Sequence, residues 1–124
     1  MDRQLTTVDI LGTLFEVDAY REVLKQKDDP SNRIPFHVFD QKGDGYTFLY
    51  DTERKNVPEN KQSVVDNPDR YRWVSIIALM ELDPEGIALR YEIPIEILVP
   101  ENKSIIPKTV VAEIRPLRIK AKTA

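Results

Sequence analysis

β-branched and apolar residues mark the first part of the chain, with alternation over Thr13 to Val17. Gln4 to Leu11 carries Leu5, Val8 and Ile10 among threonines, and Thr13 to Val17 carries Leu14, Phe15 and Val17 around Glu16. This β-branched and aromatic pattern predicts two strands about Gly12, with a tight turn at Leu11-Gly12 that lacks the usual Asn-Gly signal. From Asp18 to Gln26 the period changes. Tyr20, Val23 and Leu24 fall at helical spacing behind Asp18, a good capping residue, and predict a helix of about two turns. Lys27 to Asn32 has the composition of a loop. Alternation then returns in Ile34 to Asp40, with Phe36 and Val38, and in Tyr46 to Asp51, with Phe48 and Tyr50. These segments predict a β-hairpin closed by Gln41-Lys42-Gly43-Asp44-Gly45, whose residues tolerate positive φ.

Thr52 to Asp69 is polar, holds two prolines, and reads as a long loop that is either flexible or functional. Arg70 to Ile77 places Tyr71, Trp73 and Ile77 against Arg72 and Ser75 and predicts a strand, although Trp73, Ile76, Ile77 and Met80 also fit a helix. Leu82-Asp83-Pro84-Glu85 is a helix start: Asp83 caps, Pro84 suits the first helical position, Glu85 meets the positive end of the dipole, and Leu82 with Ile87 staples the cap. That helix is expected to reach Tyr91. Pro94 opens a second short one to Leu98, and a last strand follows around Thr109 to Ile114. Nine prolines leave little room for long helices. The fold class this implies is α+β: an antiparallel sheet of about five strands with one or two short helices on one face. The compact domain is expected over residues 1–114, with 115–124 as a basic tail.

Composition narrows the chemistry. The chain has 124 residues, no cysteine and one histidine, which removes disulfides, thiolate nucleophiles, thiolate metal sites and multi-histidine metal sites. The net charge of −3 hides two unlike parts. Residues 1–114 hold 14 basic and 21 acidic groups, a net of −7, while Arg115, Arg118, Lys120 and Lys122 give the last ten residues +4. An acidic body opposes general nucleic-acid binding, which needs a basic field. No leader-like apolar run follows the N-terminus and no stretch reaches membrane-span length, so a cytoplasmic setting without membrane contact is expected.

Candidate sites are few. Asp40 to Asp51 has acids at the first and fifth positions of a calcium-loop pattern and glycine at the sixth. Lys42 occupies a ligand place and the short Asp51 the last one, so a hairpin turn is the better reading. Ile87 to Leu98 resembles a helix-turn-helix core, with Ala88, Ile93 and Leu98 in the small and aliphatic places. Glu92 stands where glycine is usual, and Glu96 and Glu101 would face the phosphates. His37 reads as an outward strand residue rather than a general base, and the serines have no glycine elbow or partner. Asp28-Asp29 lies in a loop. No catalytic residue, metal site or cofactor is indicated. Tyr46, Phe48, Tyr50, Tyr71 and Trp73, joined by Arg70 and Arg72, read either as packing or as a partner-binding face of the kind enriched in hot spots.

The run Lys27-Asp28-Asp29-Pro30-Ser31-Asn32-Arg33-Ile34-Pro35-Phe36, then Tyr46 to Asn56, then Leu82-Asp83-Pro84-Glu85 with Arg90-Tyr91, resembles uncharacterised small domains in proteins of bacterial conjugative, mobile elements. The resemblance spans about Thr6 to Leu117. It implies a bacterial, cytoplasmic setting and an interaction role, and carries no activity to any residue. The leading expectation is a non-enzymatic protein-interaction module that uses the aromatic strands or a sheet edge. The alternatives are a nucleic-acid accessory domain, using Arg115, Arg118, Lys120, Lys122 and the 83–98 helical pair, and a small enzyme or ligand-binding domain. The last would gather His37 with Asp28, Asp29 or acids of the Glu53 to Asp69 segment.

Overall fold

A computed structural model describes residues 3–99 and 107–117, and within them the alternating segments pair into two sheets. The first sheet contains β1 (Thr7–Ile10), β2 (Thr13–Asp18), β3 (Val23–Gln26), β4 (Arg33–Pro35) and β8 (Thr109–Val111), in the order β4-β3-β2-β1-β8. The second contains β5 (Asp40–Lys42), β6 (Gly45–Asp51), β7 (Tyr71–Ile76) and β9 (Glu113–Pro116), in the order β5-β6-β7-β9. All pairings are antiparallel except β1 with β8. Four short helices complete the described residues: α1 (Lys61–Asp66), α2 (Leu79–Leu82), α3 (Pro84–Tyr91) and α4 (Ile95–Leu98). The class is α+β, with a five-stranded, mostly antiparallel sheet. The second sheet is the addition.

The two sheets share one core. Val8, Ile10, Phe15, Val17, Leu24 and Ile34 come from the first sheet, and Phe48, Tyr50, Val74 and Ile76 from the second. Leu79 and Leu82 of α2 join them. Phe15 and Tyr50 meet edge to face across the sheets, with centroids 6.2 Å apart. The expected final strand is two strands, β8 and β9. Only the buried Ala112 separates them, and its amide donates to the Asp9 carbonyl at 3.0 Å. One segment thus forms an edge of both sheets. Arg115 and Pro116 belong to β9, so the sheet runs beyond the boundary expected at 114.

Two local expectations give way to tertiary pairing. Asp18 to Gln26 is not a helix. Asp18 does accept from the amides of Tyr20 and Arg21, at 3.1 and 3.0 Å, but these belong to a turn. Glu22 is left-handed at φ 58°, and β3 then pairs with both β2 and β4. Two ladders and the burial of Leu24 outweigh a short stretch of helical periodicity. Ile34 to Asp40 is likewise not one strand. Ile34 pairs with Leu24 in the first sheet, Phe36 to Val38 form a single 3-10 turn, and only Asp40–Lys42 pairs with β6. The hairpin is therefore shorter than expected and turns at Gly43-Asp44, with Gly43 at φ 60°. In the 52–69 segment, Asn60 caps α1 by accepting from the Ser63 amide at 2.8 Å.

The β1–β2 turn is a two-residue loop with positive φ at both positions, 51° at Leu11 and 88° at Gly12. Leu11 is exposed, so its side chain offers little packing to offset the strain of a left-handed L residue. Leu11→Asn should raise stability by about 0.5–1 kcal/mol, seen as a higher urea midpoint at unchanged slope.

Candidate functional site

The strand register decides what becomes of the expected aromatic face. In β6 and β7, Tyr46, Phe48 and Tyr50 share one side with Ile76, Val74 and Arg72, and that side faces the first sheet. Phe48 and Tyr50 are each 1% exposed and belong to the core. Tyr71 lies on the other side but is equally buried, with the Arg70 guanidinium 5.6 Å over its ring. These three residues therefore pack rather than present a surface. Trp73 is half-buried on the outer side of its sheet, opposite Leu49 and Arg115. Arg72 donates to the carbonyls of Asp69 and Tyr71, both at 2.7 Å. Burial pushes the Tyr50 hydroxyl up to about 12.

Arg70 is committed to Asp51, the residue at the last place of the calcium-loop pattern. The Asp51 carboxylate is fully buried. It accepts from Arg70 Nε and Nη2 at 2.8 and 2.7 Å, and from the amides of Glu53 and Arg54 at 2.9 and 3.2 Å. Burial alone would raise its pKa. Arg70 and the two amides outweigh burial and hold the carboxyl below the usual carboxylate range. Asp18 repeats the arrangement. Burial raises it, while the Arg21 amide and side chain, then Arg3, pull it below that range. Both carboxylates are saturated by neighbours, which makes them anchors of loops rather than reactive groups. The local sign of such an anchor is an aspartate at the end of a strand-like run, as at Asp18 and Asp51.

An open groove lies elsewhere, with a volume of about 650 Å³. One wall is an aromatic stack. Phe36 and Phe39 lie 5.3 Å apart, and Phe39 stacks at 4.9 Å on the buried Phe48 and stands 6.0 Å from Tyr46. The other wall is helical, with Leu79 and Met80 of α2, Ile87 and Tyr91 of α3 and Leu98 of α4. Glu22, Asp44 and Glu81 border it, and no lysine or arginine lines it among the described residues. A shallower depression of about 320 Å³ adjoins it, sharing Asp44, Tyr46, Ala78 and Glu81 and adding Ile77, Val111, Glu113 and Lys42. Of the residues expected to bind a partner, only Tyr46 reaches this surface. Sequence reasoning missed the rest because α2, the 3-10 turn and the β5–β6 turn meet only through the fold.

The other expectations find little support in the geometry. His37 sits in the 3-10 turn, exposed, and does not line the groove or the adjoining depression. Among the described residues, no three or more His, Asp or Glu side chains cluster as metal ligands would. Pro84–Tyr91 and Ile95–Leu98 do form two short helices, and Glu92 does take the left-handed conformation of a turn residue, at φ 54°. The second helix has four residues and no basic side chain, so it brings no donor to phosphate or base. Arg115 lies in β9; Arg118, Lys120 and Lys122 lie outside the described residues. No helix among the described residues is long and apolar enough to cross a membrane. Compared with protein-family models, curated proteins and solved structures, the chain finds no match.

The depressed carboxyls set the acid limb of stability. Their contribution is fully present above the unfolded carboxylate value, near 4, and is lost as pH falls through the lower folded values. Asp51→Asn should lower stability at neutral pH by about 2 kcal/mol, since Arg70 keeps some water and is not stranded in the core. It should also flatten the loss of stability below about pH 4. Urea midpoints measured across pH for both proteins check this, and parallel curves would mean Asp51 titrates normally in the folded state.

Proposed function

We propose that this chain is a non-enzymatic protein-interaction module and that the groove between the aromatic stack and α2–α4 is where its partner docks. The observation that carries the reading is a large concave surface with apolar walls. Met80 and Tyr91, which line it, are 50% and 58% exposed. Apolar exposure gathered on one concave face is what interaction sites show, whereas scattered exposed apolar residues are ordinary. Kinship with small domains of bacterial conjugative elements, and a bacterial, cytoplasmic setting, are part of this proposal.

A photocrosslinking residue, p-benzoylphenylalanine, placed at Met80 or Tyr91 should give a discrete protein adduct in the native cells. The same residue at Val65, 66% exposed on α1, should not. Equal labelling from all three positions, or no adduct from Met80 and Tyr91, would rule the groove out as the docking site.

A further inference from the structure

The charge around the groove points to the chemistry of what it holds. Of the three carboxylates at its border, Glu22 pairs with Arg90 at 3.1 Å. Asp44 and Glu81 are exposed and have no cation within salt-bridge distance among the described residues, and the same is true of Glu113 in the adjoining depression. Lys42 is the one basic residue lining either depression among those described. The surface is thus an apolar trough whose acidic margin is uncompensated among the described residues, set in a body of net charge −7 over residues 1–114.

We infer that the partner segment is a basic amphipathic helix, with an apolar stripe that enters the groove and lysines or arginines flanking it that meet Asp44, Glu81 and Glu113. This rests on the groove being the docking site. Three physical points support it. An acidic margin repels nucleic acid, anionic lipid surfaces and acidic peptides, so it selects against the commonest polyanions. An apolar stripe with i, i+3 or i+4, i+7 anchors is the shape that fills a trough lined by aromatics and short helices. Met80 of α2 and Tyr91 of α3, both exposed, sit in the wall that such a helix would lie along, so docking would cover apolar surface these helices leave open.

Two probes of equal length separate charge from apolarity: helical peptides of about 14 residues, one built of leucine and lysine and one of leucine and glutamate. Fluorescence anisotropy with the full chain should show the lysine peptide bound and the glutamate peptide not bound, with affinity falling as salt rises. Asp44→Lys with Glu81→Lys should weaken the lysine peptide about tenfold or more and give the glutamate peptide measurable binding. Asp28→Lys with Glu59→Lys, the same charge change at exposed acids away from the groove, should leave the lysine peptide within about twofold. Equal loss in both double variants would reduce the binding to net-charge attraction and overturn the inference, as would no preference between the peptides. Adducts at Met80 and Tyr91 combined with no peptide preference would leave the groove as a docking site and remove only the basic helix.

Discussion

The placement of the helical layer depends on one carboxylate. Asp83 is 5% exposed and accepts four hydrogen bonds: Arg3 Nη1 at 2.8 Å and Nη2 at 3.0 Å, the Ala19 amide at 2.8 Å and the Gly86 amide at 3.0 Å. It is therefore at once the cap of α3, a clasp on the turn after β2, and the counter-ion of the N-terminal segment. A buried charge is tolerated only when its lone pairs are filled, and removing any of these donors would leave a desolvated acceptor. Gly86 belongs to the same device. A Cβ at that position would collide with the Asp83 carboxylate and lie 2.8 Å from the Tyr20 amide. Through this cluster the first sheet holds α3, and α3 with α2 forms the helical wall of the groove.

Two groups of acidic residues look alike in composition and differ in role. Asp18, Asp51 and Asp83 are buried and satisfied, each joining segments distant in sequence or closing a turn. No buried side-chain polar atom among the described residues lacks a partner. Asp44, Glu81 and Glu113 stay at the surface around apolar side chains. The net negative charge is therefore partly spent inside, as structure, and partly displayed where it can bias what approaches. Gly45 makes a similar division at the backbone level. A Cβ there would collide with the Ile76 carbonyl oxygen, so the glycine allows β6 to lie close on β7 at the end nearest the groove.

β-branched enrichment at Thr7–Ile10 and alternation in Thr13–Asp18, Gly45–Asp51 and Tyr71–Ile76 locate strands that the structure also has. The Asp83-Pro84 start locates α3 because capping is a local property. The same reasoning fails at Val23–Gln26, where strand neighbours from 14–18 and 33–35 decide the conformation. It fails again at Phe36 to Phe39. There Phe36 and Phe39 stack about a 3-10 turn, leaving β4 in one sheet and β5 in the other. The aromatic residues of β6 and β7 read as packing or as a partner-binding face, and the structure takes Phe48, Tyr50 and Tyr71 into packing; a strand pattern does not say which face another sheet will cover.

The sequence by itself determined a small α+β protein with an acidic body, a capped helix after Leu82 and no cysteine-dependent chemistry. These follow from composition and from interactions within a few residues. Only the tertiary structure decided that there are two sheets, that one segment edges both, and that Phe48, Tyr50 and Tyr71 turn inward. It alone placed Phe36, Phe39, Tyr46 and Met80 around one groove beside Asp44 and Glu81. Those residues come from segments whose approach is set by long-range pairing and by the buried carboxylate clusters. Neither periodicity nor charge count encodes that approach locally.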